Sequence, residues 1–144
     1  MILANLVFTT AVTALVTSPV QLSNDHPESL LLQGNLTYGS GGTTISAWVQ
    51  TSVDGGATWT DIANFSFTTS SARFLYNLSG LTPVTTEYTA TDGSLTANTA
   101  KDGIIGPLLR VKYTSTGTYG GSTTLRIDAT TRSVVFVTPY ALNM

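Results

Sequence analysis

The chain has 144 residues, enough for one domain with a core of its own and too few for two ordinary domains. Only 10% of residues are charged, the net charge is −2 and no basic run occurs, so the electrostatic footprint of a nucleic-acid binder is missing. Cysteine is absent, which excludes disulfides and thiolate metal sites.

Threonine supplies roughly one residue in five, with serine and glycine behind it. A β-branched side chain suits a pleated surface, so the composition predicts an all-β chain. The stretch from Met1 to Val20 is apolar, but the first basic residue is Arg73 and threonines interrupt it. An N-terminal arm or first strand over residues 1–20 is therefore expected in preference to a signal peptide. Nothing approaches the ~18 apolar residues of a membrane span.

Within the arm, Val12 to Thr17 reads as a strand that Pro19 ends. Asn24-Asp25-His26-Pro27 is a turn cluster, and Leu30, Leu32, Leu36 and Tyr38 then mark a half-buried strand. Gly39 to Gly42 reads as a flexible loop, followed by strands over Ile45–Val53 and Trp59–Phe67. Phe74, Tyr76 and Leu78 alternate as the next strand. Residues 82–103 form a long Thr-rich stretch, a loop of the size that usually serves function or contact. Leu109, Val111 and Tyr113 line a strand whose other face carries Arg110 and Lys112. After a turn at Gly117–Gly121, Leu125, Ile127 and Ala129 point inward, with Arg126 and Asp128 outward. Ser133 to Val137 is a last β-rich run, and 139–144 a C-terminal tail. The expected fold is an antiparallel β-sandwich or jelly roll of about 7–9 strands, a single domain over 21–138. A single box and the lack of a ~40-residue internal period exclude a propeller.

Ser52-Val53-Asp54-Gly55-Gly56-Ala57-Thr58-Trp59 fits the Asp-box pattern Ser-x-Asp-x-Gly-x-Thr-Trp of sialidases and unrelated β proteins. Asp54 is expected to accept hydrogen bonds from its own turn, while Gly55 and Gly56 supply positive φ and Trp59 anchors the hairpin in the core. Ser52, Asp54, Gly55, Gly56, Thr58 and Trp59 are thus structural turn residues. The expected register pairs Val53 with Trp59, Thr51 with Asp61, Val49 with Ala63, Ala47 with Phe65 and Ile45 with Phe67. It leaves Trp48 and Ile62 on a polar outer face. There they either stack on a sugar or, as we favour, lie covered by the arm or another subunit.

No catalytic pair emerges. The acidic residues lie mostly in turns, His26 is the only histidine, and a sialidase needs several boxes and an arginine cluster that four arginines do not supply. A calcium site on loop aspartates is the weaker alternative. Neither cofactor nor metal is expected.

Across its length the chain resembles small bacteriophage virion proteins encoded among head and tail genes. The resemblance is carried by Phe8–Ser18, Leu30-Leu31-Leu32, the hairpin Ala47-Trp48-Val49-Gln50-Thr51-Ser52-Val53-Asp54-Gly55-Gly56, Gly106–Tyr113 and Thr124–Ala129. It implies a jelly-roll decoration (cement) or minor head or tail protein with no catalytic motif. The implied function is non-enzymatic reinforcement of the outer head surface, made in the host cytoplasm and placed on the virion. The implied partners are the major capsid protein and the chain itself, as a homotrimer at local threefold positions. Neither nucleic acid nor membrane is a partner. Trp48, Ile62, Leu6, Phe8 and Tyr140 are the candidate interface residues. The alternative is a carbohydrate-binding or host-adhesion module of a fibre, or a minor tail or neck component.

Overall fold

A computed structural model describes residues 1–23 and 27–133. The turn at Asn24–His26, most of the expected run Ser133–Val137, the tail 139–144 and Tyr140 lie outside the described residues.

Eleven strands run in chain order: β1 (Ile2–Val7), β2 (Val12–Val16), β3 (Val20–Gln21), β4 (Ser29–Thr37), β5 (Ser40–Gly41), β6 (Thr44–Ser52), β7 (Thr60–Phe67), β8 (Ala72–Ser79), β9 (Leu108–Thr116), β10 (Tyr119–Gly120) and β11 (Thr124–Arg132). β3, β5 and β10 are two-residue pieces, so the principal strands fall within the expected range. The arm is two strands, β1 and β2, placed in different sheets. The stretch Gly39–Gly42 is not a free loop, because β5 pairs with β10.

One sheet has the order β1-β11-β4-β8, and the other β2-β9-β6-β7 with β3 added beside β9. Every pairing is antiparallel. Counting only the principal strands, the orders are 1-8-3-6 facing 2-7-4-5, which is the jelly roll. Its crossovers bring three connections to one end of the sandwich: β3 to β4, β6 to β7, and the long segment from β8 to β9.

Period-two patterning supplies the core between the sheets. Leu30, Leu32 and Leu36 of β4 and Leu125, Ile127 and Ala129 of β11 are buried against Ile45, Ala47 and Val49 of β6, Phe65 and Phe67 of β7, and Leu109 and Val111 of β9. Gly34 lets the sheets close where Phe65 is largest, since a Cβ there would lie 2.8 Å from the ring. Tyr76 packs on Phe65 with ring centroids 4.9 Å apart and donates its hydroxyl to the Asn64 carbonyl at 2.8 Å. Phe8, expected at an interface, is instead core, edge-on to Tyr113 at 6.0 Å. Leu6 is half-buried against the same core.

The β6–β7 register holds from Ile45↔Phe67 through Val49↔Ala63 and then shifts by a bulge, giving Gln50↔Asp61 and Thr51↔Thr60. The expected pairings of Thr51 with Asp61 and Val53 with Trp59 therefore do not form. The extra residue turns Asp61 to the outer face beside Gln50, and the connection runs from Val53 to Trp59.

Candidate functional site

At the end of the sandwich where the three connections meet, the β6–β7 turn and the long β8–β9 segment satisfy polar groups of their own. In the Asp box, Gly55 and Gly56 take φ of 72° and 92°, a region that costs a side-chain-bearing residue energy. The Gly56 amide donates to Ser52 Oγ at 2.9 Å, and Ser52 Oγ donates to Asp54 Oδ1 at 2.8 Å. Thr58 gives Asp54 both its amide, at 2.9 Å, and its hydroxyl. Those Thr58 bonds, with Ser52 behind them, hold the Asp54 carboxyl at about 2. The box is a structural turn as expected, but two of its residues differ from expectation. Val53 is 71% exposed. Trp59 is half-buried beneath the Arg110 guanidinium, 4.3 Å from the ring centroid, and its Nε1 donates to the Gly56 carbonyl. The bulge in β7 removes the inward register Trp59 would have needed, and Val53 lies beyond the end of β6.

The centre of the outer face of β9-β6-β7 is Asp61, which is fully buried. Its carboxylate accepts from Gln50 Nε2 at 2.8 Å, Thr91 Oγ1 at 2.9 Å and the amides of Gly93, Ser94 and Leu95 at 2.8–3.1 Å. Three successive amides converging on one carboxylate make a nest, and here the anion belongs to the chain itself. The Asp61 amide also donates to the Thr91 carbonyl at 2.8 Å. Tyr88 directs its hydroxyl at the Asp61 carbonyl, and burial, aided by the Asp61 charge, pushes that phenol up to about 12.

The rest of residues 91–101 follows from this anchor. Leu95 lies on the sheet, and its carbonyl accepts from both Trp48 Nε1 and Asn64 Nδ2 at 3.0 Å. The Asn64 amide donates to the Thr99 carbonyl, and the Lys101 amide to the Ile62 carbonyl, each at 2.8 Å. Ala100 thereby bridges Ala63 and closes the edge of β7. Ile62 is fully buried and Trp48 half-buried. Trp48 is held by the chain's own long loop through Leu95, and Ile62 is part of the core cluster. Ile62 is thereby withdrawn from the candidate interface residues.

A polar relay finishes this face. Gln50 also donates to Asp92 at 2.7 Å and accepts from Arg110 Nε at 2.8 Å, while Lys112 Nζ meets Asp92 at 2.9 Å. Hydrogen bonds from Gln50 and then Lys112 hold the Asp92 carboxyl below its ordinary value. Asp102 accepts the Ser79 amide and the Thr82 hydroxyl, which lower its carboxyl likewise. Asp54, Asp61, Asp92 and Asp102 are thus all committed to holding loops.

Between these turns lies a cleft of about 560 Å³ lined by Gln21, Pro27, Val53, Gly80, Leu81, Gly103, Ile104, Ile105, Gly106 and Pro107. Its wall is apolar side chain and backbone, and Leu81 stands 68% exposed at its rim. Nothing in the sequence marks these residues as a group, because they come from three separate connections. Among the described residues no cluster of three His, Cys, Asp or Glu side chains is placed to hold a metal.

Comparison with known proteins finds no matching family model, no matching curated protein and no matching solved structure. The fold assignment stands on strand order and register.

Proposed function

We propose that this chain is a non-enzymatic virion structural protein, a decoration protein that binds the outer surface of a phage head and reinforces it. The observation that carries the proposal is the contrast between an internally hydrogen-bonded frame and its bare apolar surfaces. The loop aspartates are spent on internal hydrogen bonds, while Val53, Leu81, Leu75 and Val7 are each more than half exposed. Val53 and Leu81 share one cleft and Leu75 lies diagonal to the exposed Leu31 on the outer sheet face, and grouped apolar exposure of this kind marks a contact surface. Reinforcement then needs no chemistry. A protein that binds only the assembled shell stabilises it by mass action. The partners on this reading are the major capsid protein and further copies of the chain, assembled as a homotrimer made in the host cytoplasm.

The test is heat release of packaged DNA from particles with and without the chain. Particles lacking it should lose DNA at a lower temperature and regain resistance when purified protein is added back. Equal resistance in both would overturn the proposal. The glycan-binding alternative gains nothing from the two tryptophans. Trp48 spends its N–H on Leu95 and Trp59 lies under Arg110, so neither is a bare stacking platform.

A further inference from the structure

The edges of the two sheets are finished in different ways. An open edge presents unpaired N–H and C=O groups to any other strand, so proteins blunt it with bulges, charges or cover. The β7 edge is covered by the long loop, whose Thr99 carbonyl and Lys101 amide bond Asn64 and Ile62. β1 and β2 each carry a register shift, between Ile2 and Ala4 and between Val12 and Leu15, and Ala14 of β2 stands at φ 51°. Over residues 73–77, β8 has neither bulge nor cover. It pairs with β4 without a break from Ser29↔Ser79 to Leu36↔Ala72, holds no proline or glycine, and carries one charge, Arg73.

The direction of its backbone groups follows from the bonds at its end. In antiparallel pairing, successive residues turn their N–H and C=O alternately toward one neighbour and the other. Gly80 donates to the Glu28 carbonyl, on the β4 side. Ser79 turns the opposite way, where its amide bonds Asp102 and its carbonyl accepts from Gly103. By the same alternation Arg73, Leu75 and Asn77 point away from β4, and no described residue bonds their amides or carbonyls. Asp102 and Gly103 close this open row at one end.

The side chains of β8 are bare on both faces of the strand. Phe74 lies on the inner face, stacked on Phe67 at 5.3 Å between centroids, yet it is 40% exposed, and Leu75 on the outer face is 52% exposed. A partner lying on the sheet face would cover Leu75 and miss Phe74. A strand added in the plane of the sheet covers both.

We propose that this edge binds its own copy: β8 of one chain pairs antiparallel with β8 of a second across a twofold axis at Leu75. The open backbone groups are symmetric about Leu75, so this register sets Leu75 against Leu75 and Arg73 against Asn77 and uses every one of them. On the inner side it places Phe74 beside Tyr76 of the second copy, an aromatic cross-strand pair. The two Arg73 guanidiniums fall at opposite ends of the contact, so no like charges meet. Such an isologous contact closes on itself and joins chains in pairs. It stands apart from the virion reading, and adds a twofold contact to the threefold one which that reading requires.

Backbone pairing has a readout of its own. In hydrogen exchange on the full chain, the amides of Arg73, Leu75 and Asn77 should become protected together as concentration rises, while sedimentation velocity shows chains joining. Asn77→Asp puts a carboxylate opposite Arg73 at both ends and should tighten the association; Asn77→Arg should weaken it. Each change should be roughly 2- to 30-fold, the range for two cross-strand charge pairs. Position 77 is exposed, so both variants keep the wild-type circular dichroism spectrum. Combining Asn77→Arg with Arg73→Asp should restore tight association, because opposite charges face each other again. Amides that stay unprotected at every concentration would overturn the proposal. So would association that leaves them unprotected, or equal association of wild type and the two Asn77 variants.

Discussion

Asp61 shows how one side chain organises a segment thirty residues away. Its five donor groups include three successive amides of the long loop, and with the Asp61 carboxylate gone the buried Leu95 amide would be left without its partner while Gln50 keeps Asp92. Asp61→Ala should therefore cost about 1–3 kcal/mol in urea unfolding, the range for one orphaned buried donor. Hydrogen exchange gives the sharper readout: the amides of Gly93, Ser94 and Leu95 should lose protection ahead of the sheet. Unchanged protection there would contradict the anchoring role. Asp54 makes a pH prediction. Its carboxyl sits at about 2 against 3.8 for a free side chain, so its hydrogen bonds contribute fully above 3.8 and lose that contribution as pH falls toward 2. The melting-temperature gap between wild type and Asp54→Asn should shrink across that window, and a gap independent of pH would contradict it. Asp54 is legible in the sequence because all its partners lie within four residues. Asp61 is not, because its donors come from across the fold and nothing local marks them.

At the scale of elements, the sequence is most legible where alternation is regular. Leu30, Leu32 and Leu36, then Leu125, Ile127 and Ala129, each lie on the inner face their period implies. Legibility fails at the bulge of β7, where Asp61, Ile62, Ala63, Asn64 and Phe65 are buried in succession. A strand covered on both faces loses its alternation, and the cover here is a loop with no periodicity of its own. The arm misled for another reason. Phe8 follows an apolar strand that reads equally well as core or as contact, and only its packing on Tyr113 and Tyr119 decides. Close approach of the two sheets at Gly34 is testable. Gly34→Ala would bring a methyl to 2.8 Å from Phe65 Cδ1 and should destabilise by about 1–3 kcal/mol through overpacking. The denaturant midpoint should fall with the slope unchanged, and an unshifted midpoint would mean that the sheets yield freely there.

At the scale of the whole molecule, the jelly roll is asymmetric. One sheet is covered by the chain's own loop, pinned through Asp61, while the other carries no such cover among the described residues, and the end where three connections meet carries an apolar cleft. Fold class was legible from threonine content, strand spacing and turn residues. The surfaces that define contact were not, because exposure depends on which face the long loop covers. A virion decoration protein is the function this asymmetry supports best, with docking surfaces left bare by a frame that satisfies its own polar groups. The most direct test is the position and copy number of the chain in a reconstruction of purified particles. The account predicts density on the outside of the head, repeated with the capsid lattice. Absence from particles, or a copy number matching a single vertex or tail, would contradict it.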